Sequence, residues 1–116
     1  MKQPIEITFK FFDAEHKARF LSSTYVNNGN LYIGVRTYDE EYEYWEPWCD
    51  LTVNLPGMKC EPNEAFIDTN NCAPEIIKTL KKKGYIKETG VTRQSGFCTY
   101  PLMEFSEEFL NGMFEE

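Results

Sequence analysis

The sequence predicts an α+β domain: an antiparallel β-sheet of about five to six strands with one central helix and a short C-terminal helix. Segments that alternate apolar and polar residues fill the first half of the chain, as half-buried strands do. A helix-start signal followed by an apolar face stands near the middle, and a second, capped segment stands near the end. With 116 residues, the chain has the length of one ordinary domain, so 1–116 is assigned to a single domain.

The first half of the chain is predicted to form a four-stranded antiparallel meander. Strands are expected at 5–11, 17–26, 31–36 and 42–54, with turns at 13–16, 27–30 and 39–41. The Asn28-Gly29 pair favours a tight hairpin turn, because these residues accept positive φ angles. Pro47 interrupts the fourth strand, and since proline cannot donate to a ladder, a bulge or an edge position is expected there.

The central helix follows a short strand that is expected at 65–68. Asn71 or a neighbour is expected to cap the helix, and Pro74 suits its first turn. An apolar face is formed by Ile76, Ile77 and Leu80, lysines 81–83 lie at the C-terminal end, and Gly84 is placed to end the helix.

The remaining segments predict a turn at 88–90 and at least one more strand within 91–105. That strand is expected to break near Ser95-Gly96 and near Pro101, since both sites favour turns. Ser106 is expected to cap the terminal helix, from which Met113 and Phe114 pack back against the domain.

The charge of the chain is acidic and unevenly distributed. The formal net charge is −7, from 12 basic and 19 acidic residues. From Tyr38 to Met58 there is no lysine or arginine, although six carboxylates fall in that stretch: Asp39, Glu40, Glu41, Glu43, Glu46 and Asp50. Such a surface repels phosphates and anionic lipid and favours basic partners. Neither nucleic acid nor a membrane is therefore expected as a direct partner.

The N-terminal residues and the cysteines both favour a cytoplasmic protein. Residues 1–6 lack the apolar core of a signal peptide, and no apolar run is long enough to span a bilayer. The four cysteines (Cys49, Cys60, Cys72 and Cys98) are then expected as free thiols. Because none of them forms a C-x-x-C pair, neither a metal site nor a cofactor is predicted.

No catalytic residue is assigned from the sequence. His16 is predicted to lie in a turn, and Asp68 is interpreted as a residue that bonds nearby backbone N–H groups ahead of the helix. A small enzyme that uses Cys98 or Asp68 stays open as a second alternative, for which Cys98 would need His16 or a carboxylate within hydrogen-bond reach.

The acidic and aromatic stretch around Tyr42 leads to a binding hypothesis. If it forms a strand, Glu41 and Glu43 lie on one face about 6.6 Å apart. Carboxylates so spaced can stand in for nucleic-acid phosphates in an Arg/Lys-lined channel, and aromatic side chains can add interface anchors. The alternative is a solvated acidic face over an aromatic core. The predicted partner-binding residues are Asp39, Glu40, Glu41, Tyr42, Glu43, Tyr44, Trp45, Glu46 and Trp48.

Three segments, in this order and spacing, resemble an uncharacterised domain-of-unknown-function family encoded on conjugative and other mobile elements of anaerobic gut bacteria. They are Leu51–Gly57, Ala65–Asn71 and Gly90–Pro101. The resemblance covers residues 51 to 105, and the segment before it is similar in style only. One departure is Cys72-Ala73, which stands as an insertion before Pro74.

The resemblance implies a mobile-element accessory protein and brings no known activity or catalytic residue. Accessory proteins of such elements often disarm host defence, including restriction and CRISPR nucleases. Together with the acidic stretch, it predicts a non-enzymatic inhibitor that binds a host nucleic-acid enzyme, of anti-CRISPR or anti-restriction type. The alternative is a protein-interaction or regulatory module of the element's own maintenance or transfer machinery.

Overall fold

The computed structural model describes residues 3–55 and 57–114, which form two antiparallel sheets and two short helices. The N-terminal sheet contains β1 (Glu6–Phe11), β2 (Ala14–Thr24), β3 (Leu31–Asp39) and β4 (Tyr44–Asp50), in the order β1-β2-β3-β4. The C-terminal sheet contains β5 (Thr52–Val53), β6 (Glu64–Ile67), β7 (Ile86–Ser95) and β8 (Cys98–Phe105), in the order β5-β6-β8-β7. The helices are α1 (Pro74–Lys82) and α2 (Glu107–Asn111).

The α+β class is confirmed, but the strands are arranged differently from the prediction. Across the described ranges, two sheets of four strands replace the single sheet of about five to six. The division occurs at Leu51, which is fully buried between the sheets. Its N–H donates to the carbonyl of Ile33 in β3 at 2.9 Å, and its own carbonyl accepts from the N–H of Asp68 at 2.9 Å. The chain therefore leaves the edge of one sheet and enters the other within one residue.

The predicted four-stranded meander is confirmed in the N-terminal sheet, but its fourth strand is shorter than the predicted 42–54. Residues 42–43 belong to the turn, and Thr52–Val53 is β5 of the C-terminal sheet. Alternate residues of β1 and β2 face the core, where Ile7, Phe9, Ala18 and Phe20 are buried. The turn predicted at 13–16 is wrong, because only residues 12–13 turn and β2 already begins at Ala14. The β2–β3 connection is longer than a tight turn, since it spans residues 25–30.

Both expectations for Pro47 are confirmed. β4 is an edge strand of the N-terminal sheet. Val35 pairs with Cys49 while Arg36 pairs with Pro47, so Trp48 is an extra residue in a bulge. A proline at an edge bulge leaves no ladder hydrogen bond unmade, which is why the strand continues through it.

The second half of the chain confirms the short strand as β6 but corrects two expected breaks. The turn predicted at 88–90 is wrong: these residues lie inside β7, where the register shifts between Glu88 and Thr92 and Gly90 takes φ 88°. Glycine here allows a bulge instead of a reversal. Pro101 does not break β8, because it pairs with Thr92 on one side and lies beyond the β6 ladder, which begins at Leu102.

The helices confirm most of the predicted signals. Ile76, Ile77 and Leu80 are the buried face of α1, and Gly84 follows the helix with φ 77°. The cap predicted at Asn71 is wrong, because Ala73 is the N-cap residue and makes no side-chain cap bond. Ser106 caps α2 as predicted, since its Oγ accepts the N–H of Phe109 at 3.1 Å. Among the described residues, no helix has the length and apolar character needed to cross a membrane.

An aromatic core joins the two sheets beneath α2. The ring of Phe109 lies 5.1 Å from that of Phe20 in β2 and 5.7 Å from that of Phe105 in β8. Beyond α2, Met113 packs on the core and Phe114 donates its N–H to the carbonyl of Phe20 at 2.6 Å. The predicted return of the C-terminal residues onto the domain is thereby confirmed.

Candidate functional site

Two turns lie at the same end of the N-terminal sheet. In a meander the β1–β2 turn and the β3–β4 turn lie at the same end, and here they comprise residues 12–13 and 40–43. A surface cavity of about 340 Å³ spans the strands that lead to them, lined by Glu15, His16, Lys17, Tyr38 and Glu40. We call residues 12–15 and 39–44 the acidic end.

Backbone strain is concentrated at the acidic end. Across the described ranges, the non-glycine residues with positive φ are Phe12 (51°), Asp13 (64°) and Glu43 (54°). Aspartate tolerates this left-handed region, but phenylalanine and glutamate gain nothing there, and each such residue costs about 1–3 kcal/mol. Because strain of this kind clusters at functional sites, its location marks this end for attention.

Asp39 shapes the second turn. Its Oδ1 accepts the N–H of Glu41 at 2.9 Å and that of Tyr42 at 3.0 Å. This local bonding bends the chain out of the strand direction before β4 begins. The expectation that Glu41 and Glu43 alternate along a strand is therefore wrong, and with it the spacing derived from strand geometry. Instead the turn presents exposed carboxylates of Glu40, Glu41 and Glu43.

Three aromatic side chains are exposed at the acidic end. Phe12 is 88% exposed and Tyr42 is 70% exposed, while Tyr44 at the start of β4 is about half exposed. The Tyr44 hydroxyl donates to Glu46 Oε2 at 3.2 Å, and this bond raises the pKa of Tyr44. The end therefore combines large exposed apolar surfaces with carboxylates, a composition that also occurs at interfaces.

Trp45 supports this end from one face of the sheet. The guanidinium of Arg19 lies 4.4 Å from the Trp45 ring centre and donates to Glu6 Oε1 at 3.0 Å. Tyr38 and Phe114 pack on the same ring, with centroids at 5.2 and 5.7 Å. Trp45 is half-buried in this cluster and holds β4 in place.

Trp48 is also half-buried, in a second aromatic cluster. Its ring lies 5.3 Å from Phe11, 5.3 Å from His16 and 5.8 Å from Phe9. The structure thus brings the predicted residues 39–44 together on the surface, whereas the two tryptophans pack against the domain. Glu46 stands between the two tryptophans in the sequence and is also half-buried.

Two residues of the enzyme alternative, Asp68 and His16, make other contacts. The carboxylate of Asp68 accepts the N–H groups of Asn70 and Asn71 at 3.2 and 3.1 Å and the side-chain amide of Asn71 at 3.0 Å, as the Asx interpretation predicts. His16 stacks on Phe9 at 5.5 Å. No group of three side chains that could hold a metal ion occurs in the described part of the chain.

Two features of the molecule escaped sequence reasoning. Phe12 was assigned to neither the predicted strand at 5–11 nor the predicted turn at 13–16, although an aromatic residue beside an acid in so short a connection is itself a signal of an exposed tip. Cys49 and Cys72 lie far apart in sequence, yet their sulfurs are 3.2 Å apart. No local motif could have shown that contact, because the fold alone creates it.

The fold and the acidic end together describe a small α+β protein that contains two antiparallel sheets and carries an exposed surface of acidic and aromatic side chains. The model of the family "Domain of unknown function (DUF4313)" matches residues 21–115, so the chain belongs to that family. The match extends well beyond residues 51–105 and includes the 40–43 turn, whereas the 12–13 turn precedes it. No curated protein and no solved structure matches the chain.

Proposed function

We propose that this chain is a non-catalytic binding protein that docks its acidic end on a basic, nucleic-acid-binding surface of a host enzyme, a CRISPR effector or a restriction enzyme, and blocks it. One observation carries the proposal: the strained non-glycine residues, the exposed aromatics and the densest carboxylates of the described chain coincide at one end of one sheet.

Charge supports a basic partner. Six carboxylates belong to the acidic end: Asp13, Glu15, Asp39, Glu40, Glu41 and Glu43. Its cationic neighbours are Lys10 and Lys17. A cluster of one sign on a chain of net charge −7 steers a positively charged surface towards itself and repels nucleic acid. Attraction between exposed charges is screened at high ionic strength, so binding should weaken as salt rises.

Phe12 supplies the apolar part of the proposed interface. Its ring is exposed apart from an edge contact with Phe11 at 4.5 Å, and its backbone is strained. An asparagine would satisfy the turn at lower cost. A bulky, exposed residue with a single edge contact and a strained backbone fits a contact residue, since aromatic anchors dominate interface energies.

The choice of a host nuclease as partner rests on the resemblance to proteins of mobile elements. The same acidic end could serve a regulatory module that binds a protein of the element's own maintenance or transfer machinery. Both readings share the surface and differ in the protein that is captured, so one capture experiment separates them.

Charge reversal of the acidic end is expected to abolish capture of the target. Tagged protein is incubated with lysate of a host that carries CRISPR and restriction systems, and bound proteins are identified by mass spectrometry. A nuclease should be retained at low salt and be released by high salt or by excess duplex DNA. With Glu15→Lys, Glu40→Lys, Glu41→Lys and Glu43→Lys combined, all four of them exposed residues of the acidic end, we expect at least about a tenfold loss of binding to that purified nuclease.

The matched control reverses four exposed glutamates elsewhere: Glu61→Lys, Glu88→Lys, Glu104→Lys and Glu108→Lys. It carries the same net charge as the test variant and should retain the target. If both folded variants retained the target equally, the acidic end would be ruled out as the interface. If both lost the target equally, the loss of binding would be due to the change in net charge alone. Capture of element-encoded proteins alone would favour the regulatory module.

Phe12→Asn is expected to raise the melting temperature while weakening binding. Asparagine accepts positive φ, so removal of the strain should stabilise the fold by about 0.5–1 kcal/mol, whereas loss of the ring should cost about tenfold in affinity. Phe97→Asn is the control, because Phe97 is fully exposed at the tip of the β7–β8 hairpin and lacks positive φ. A Phe12→Asn variant that binds as tightly as the unmodified protein would remove Phe12 from the interface.

A further inference from the structure

Cys49 and Cys72 come from different parts of the fold and meet at the core. Cys49 lies on β4, and Cys72 stands two residues before α1. Their sulfur atoms are 3.2 Å apart, which is hydrogen-bond distance for two thiols. Cys72 is only 3% exposed, whereas Cys49 is half-buried and more accessible to solvent. The two thiols thus differ in access while remaining in direct contact.

The surroundings make Cys49 the more acidic thiol. With both thiols protonated, Cys49 donates to Cys72 Sγ. Once Cys49 loses its proton, the Cys72 S–H donates to the thiolate, and this bond lowers the pKa of Cys49 against the opposing effects of burial and of the carboxylates of Asp50 and Asp68. The backbone of Ala73, the N-cap residue of α1, adds a second hydrogen bond that lowers it further. Cys49 is therefore the thiol suited to attack an external disulfide, and Cys72 is the thiol suited to resolve the mixed disulfide that results.

We propose that Cys49 and Cys72 form a redox-active dithiol, which a low-molecular-weight disulfide such as oxidised glutathione converts to an intramolecular disulfide. The sulfur atoms must approach from 3.2 Å to the bonded distance of about 2 Å. A shift of about 1 Å is within the reach of side-chain rotation at an edge strand. The inference is independent of what the acidic end binds.

The reaction balances as two thiol–disulfide exchanges. The Cys49 thiolate attacks one sulfur of oxidised glutathione, the S–S bond breaks, and one glutathione thiolate leaves. The mixed disulfide at Cys49 is neutral, so the effect of the Cys49 thiolate on the pKa of Cys72 is removed, while burial and the Asp68 carboxylate continue to raise that pKa. Cys72 then gives its proton to solvent, attacks the Cys49 sulfur and releases the second glutathione thiolate. After protonation, one small disulfide has become two thiols, and the protein has exchanged two S–H bonds for one S–S bond.

The disulfide would tie β4 to the start of α1. β4 begins directly after the 40–43 turn and carries the bulged Trp48. Closing a loop between two elements restricts the unfolded chain, so the oxidised protein should melt at a temperature about 5–10 °C higher than the reduced protein. Oxidation would therefore restrict the motion of β4, the strand that follows the 40–43 turn of the acidic end.

Oxidation of a chain with Cys60→Ser and Cys98→Ser isolates the pair. The folded protein is incubated with oxidised glutathione, quenched by alkylation and analysed by intact mass and peptide mapping. We expect an intact mass that is lower by two hydrogen atoms and a peptide in which Cys49 is linked to Cys72. Reduced glutathione should reverse this linkage. Persistent glutathione adducts without a linkage, or a pair that stays reduced, would overturn the proposal.

Single substitutions in the same background distinguish the two roles. Cys72→Ser should trap a stable glutathione adduct on Cys49, because the resolving thiol is gone. Cys49→Ser should leave Cys72 unmodified in the folded protein, since Cys72 is buried. Adduct formation on Cys72 at the rate seen for Cys49 would contradict this assignment; circular dichroism verifies that both variants fold.

The pH dependence of alkylation adds a readout that a structural role would not move. Iodoacetamide should modify Cys49 with a midpoint below the ordinary thiol value of 9.0, because the Cys72 and Ala73 hydrogen bonds lower the Cys49 pKa. Cys72→Ala removes the larger of these causes, so the midpoint should rise. If Cys72→Ala left the midpoint unchanged, the Cys72 hydrogen bond would not lower the pKa of Cys49, and the proposal would be overturned.

Discussion

Replacing Phe109 with alanine is expected to lower the free energy of unfolding by about 3–5 kcal/mol. Phe109 is completely buried, and its ring contacts Phe20 at 5.1 Å, Tyr85 at 5.6 Å and Phe105 at 5.7 Å. A five-residue helix such as α2 has no stability of its own, so this packing is what holds it. Because small domains are stable by only about 5–15 kcal/mol, the loss would leave the fold marginal.

Urea unfolding followed by circular dichroism measures this effect, with Phe97→Ala as the control. The two substitutions delete the same side chain, one from the core and one from a fully exposed hairpin tip. Phe97→Ala should change the unfolding free energy by less than about 0.5 kcal/mol. If Phe109→Ala cost less than about 1 kcal/mol, α2 would not be docked as described and the aromatic core would not join the sheets.

Local patterns predicted the elements of this fold, but not how they assemble. The alternation that buries Ile7 and Phe9 identified β1, and the spacing of Ile76 and Leu80 identified the buried face of α1. The split into two sheets depends on where the chain crosses at Leu51, and periodicity says nothing about pairing partners. Likewise Gly90 permits a turn or a bulge, and only the pairing of β7 with β8 decides between them.

The candidate site was predictable in composition and not in geometry. Carboxylates and aromatics around Tyr42 are visible in the sequence. The alternating-strand geometry failed because Asp39 bonds two backbone N–H groups and makes a turn instead. The position of Phe12 in a turn was not predicted, because turn propensity argues against phenylalanine at positive φ. The residue least suited to the turn is therefore the one that marks the site.

Asp68→Ala is expected to lower the free energy of unfolding by about 2–3 kcal/mol. The Asp68 carboxylate is buried and accepts three hydrogen bonds, two of them from backbone N–H groups of Asn70 and Asn71. Alanine leaves those donors without their partner, and bonds to a charged acceptor are stronger than neutral ones. Chemical denaturation compared with the unmodified protein measures the loss.

The matched control is Asp39→Ala, which removes the same Asx bonding from an exposed turn. Asp39 Oδ1 accepts from Glu41 and Tyr42 at distances similar to those at Asp68, but water can replace it there, so the loss should stay below about 1 kcal/mol. Equal costs would mean that burial contributes nothing to the value of this motif.

The two aspartates should also separate the two proposed activities. The carbonyl of Asp68 accepts the N–H of Cys72 at 3.0 Å, so the loop that Asp68 orders also presents the resolving thiol to Cys49. Asp68→Ala should therefore change the rate of disulfide formation, because it loosens this loop and also removes a carboxylate that raises the pKa of both thiols. It should leave target capture intact, whereas Asp39→Ala should weaken capture and leave the dithiol unaffected. That crossed pattern follows because one local motif, used twice, positions a buried thiol at one site and an exposed row of carboxylates at the other.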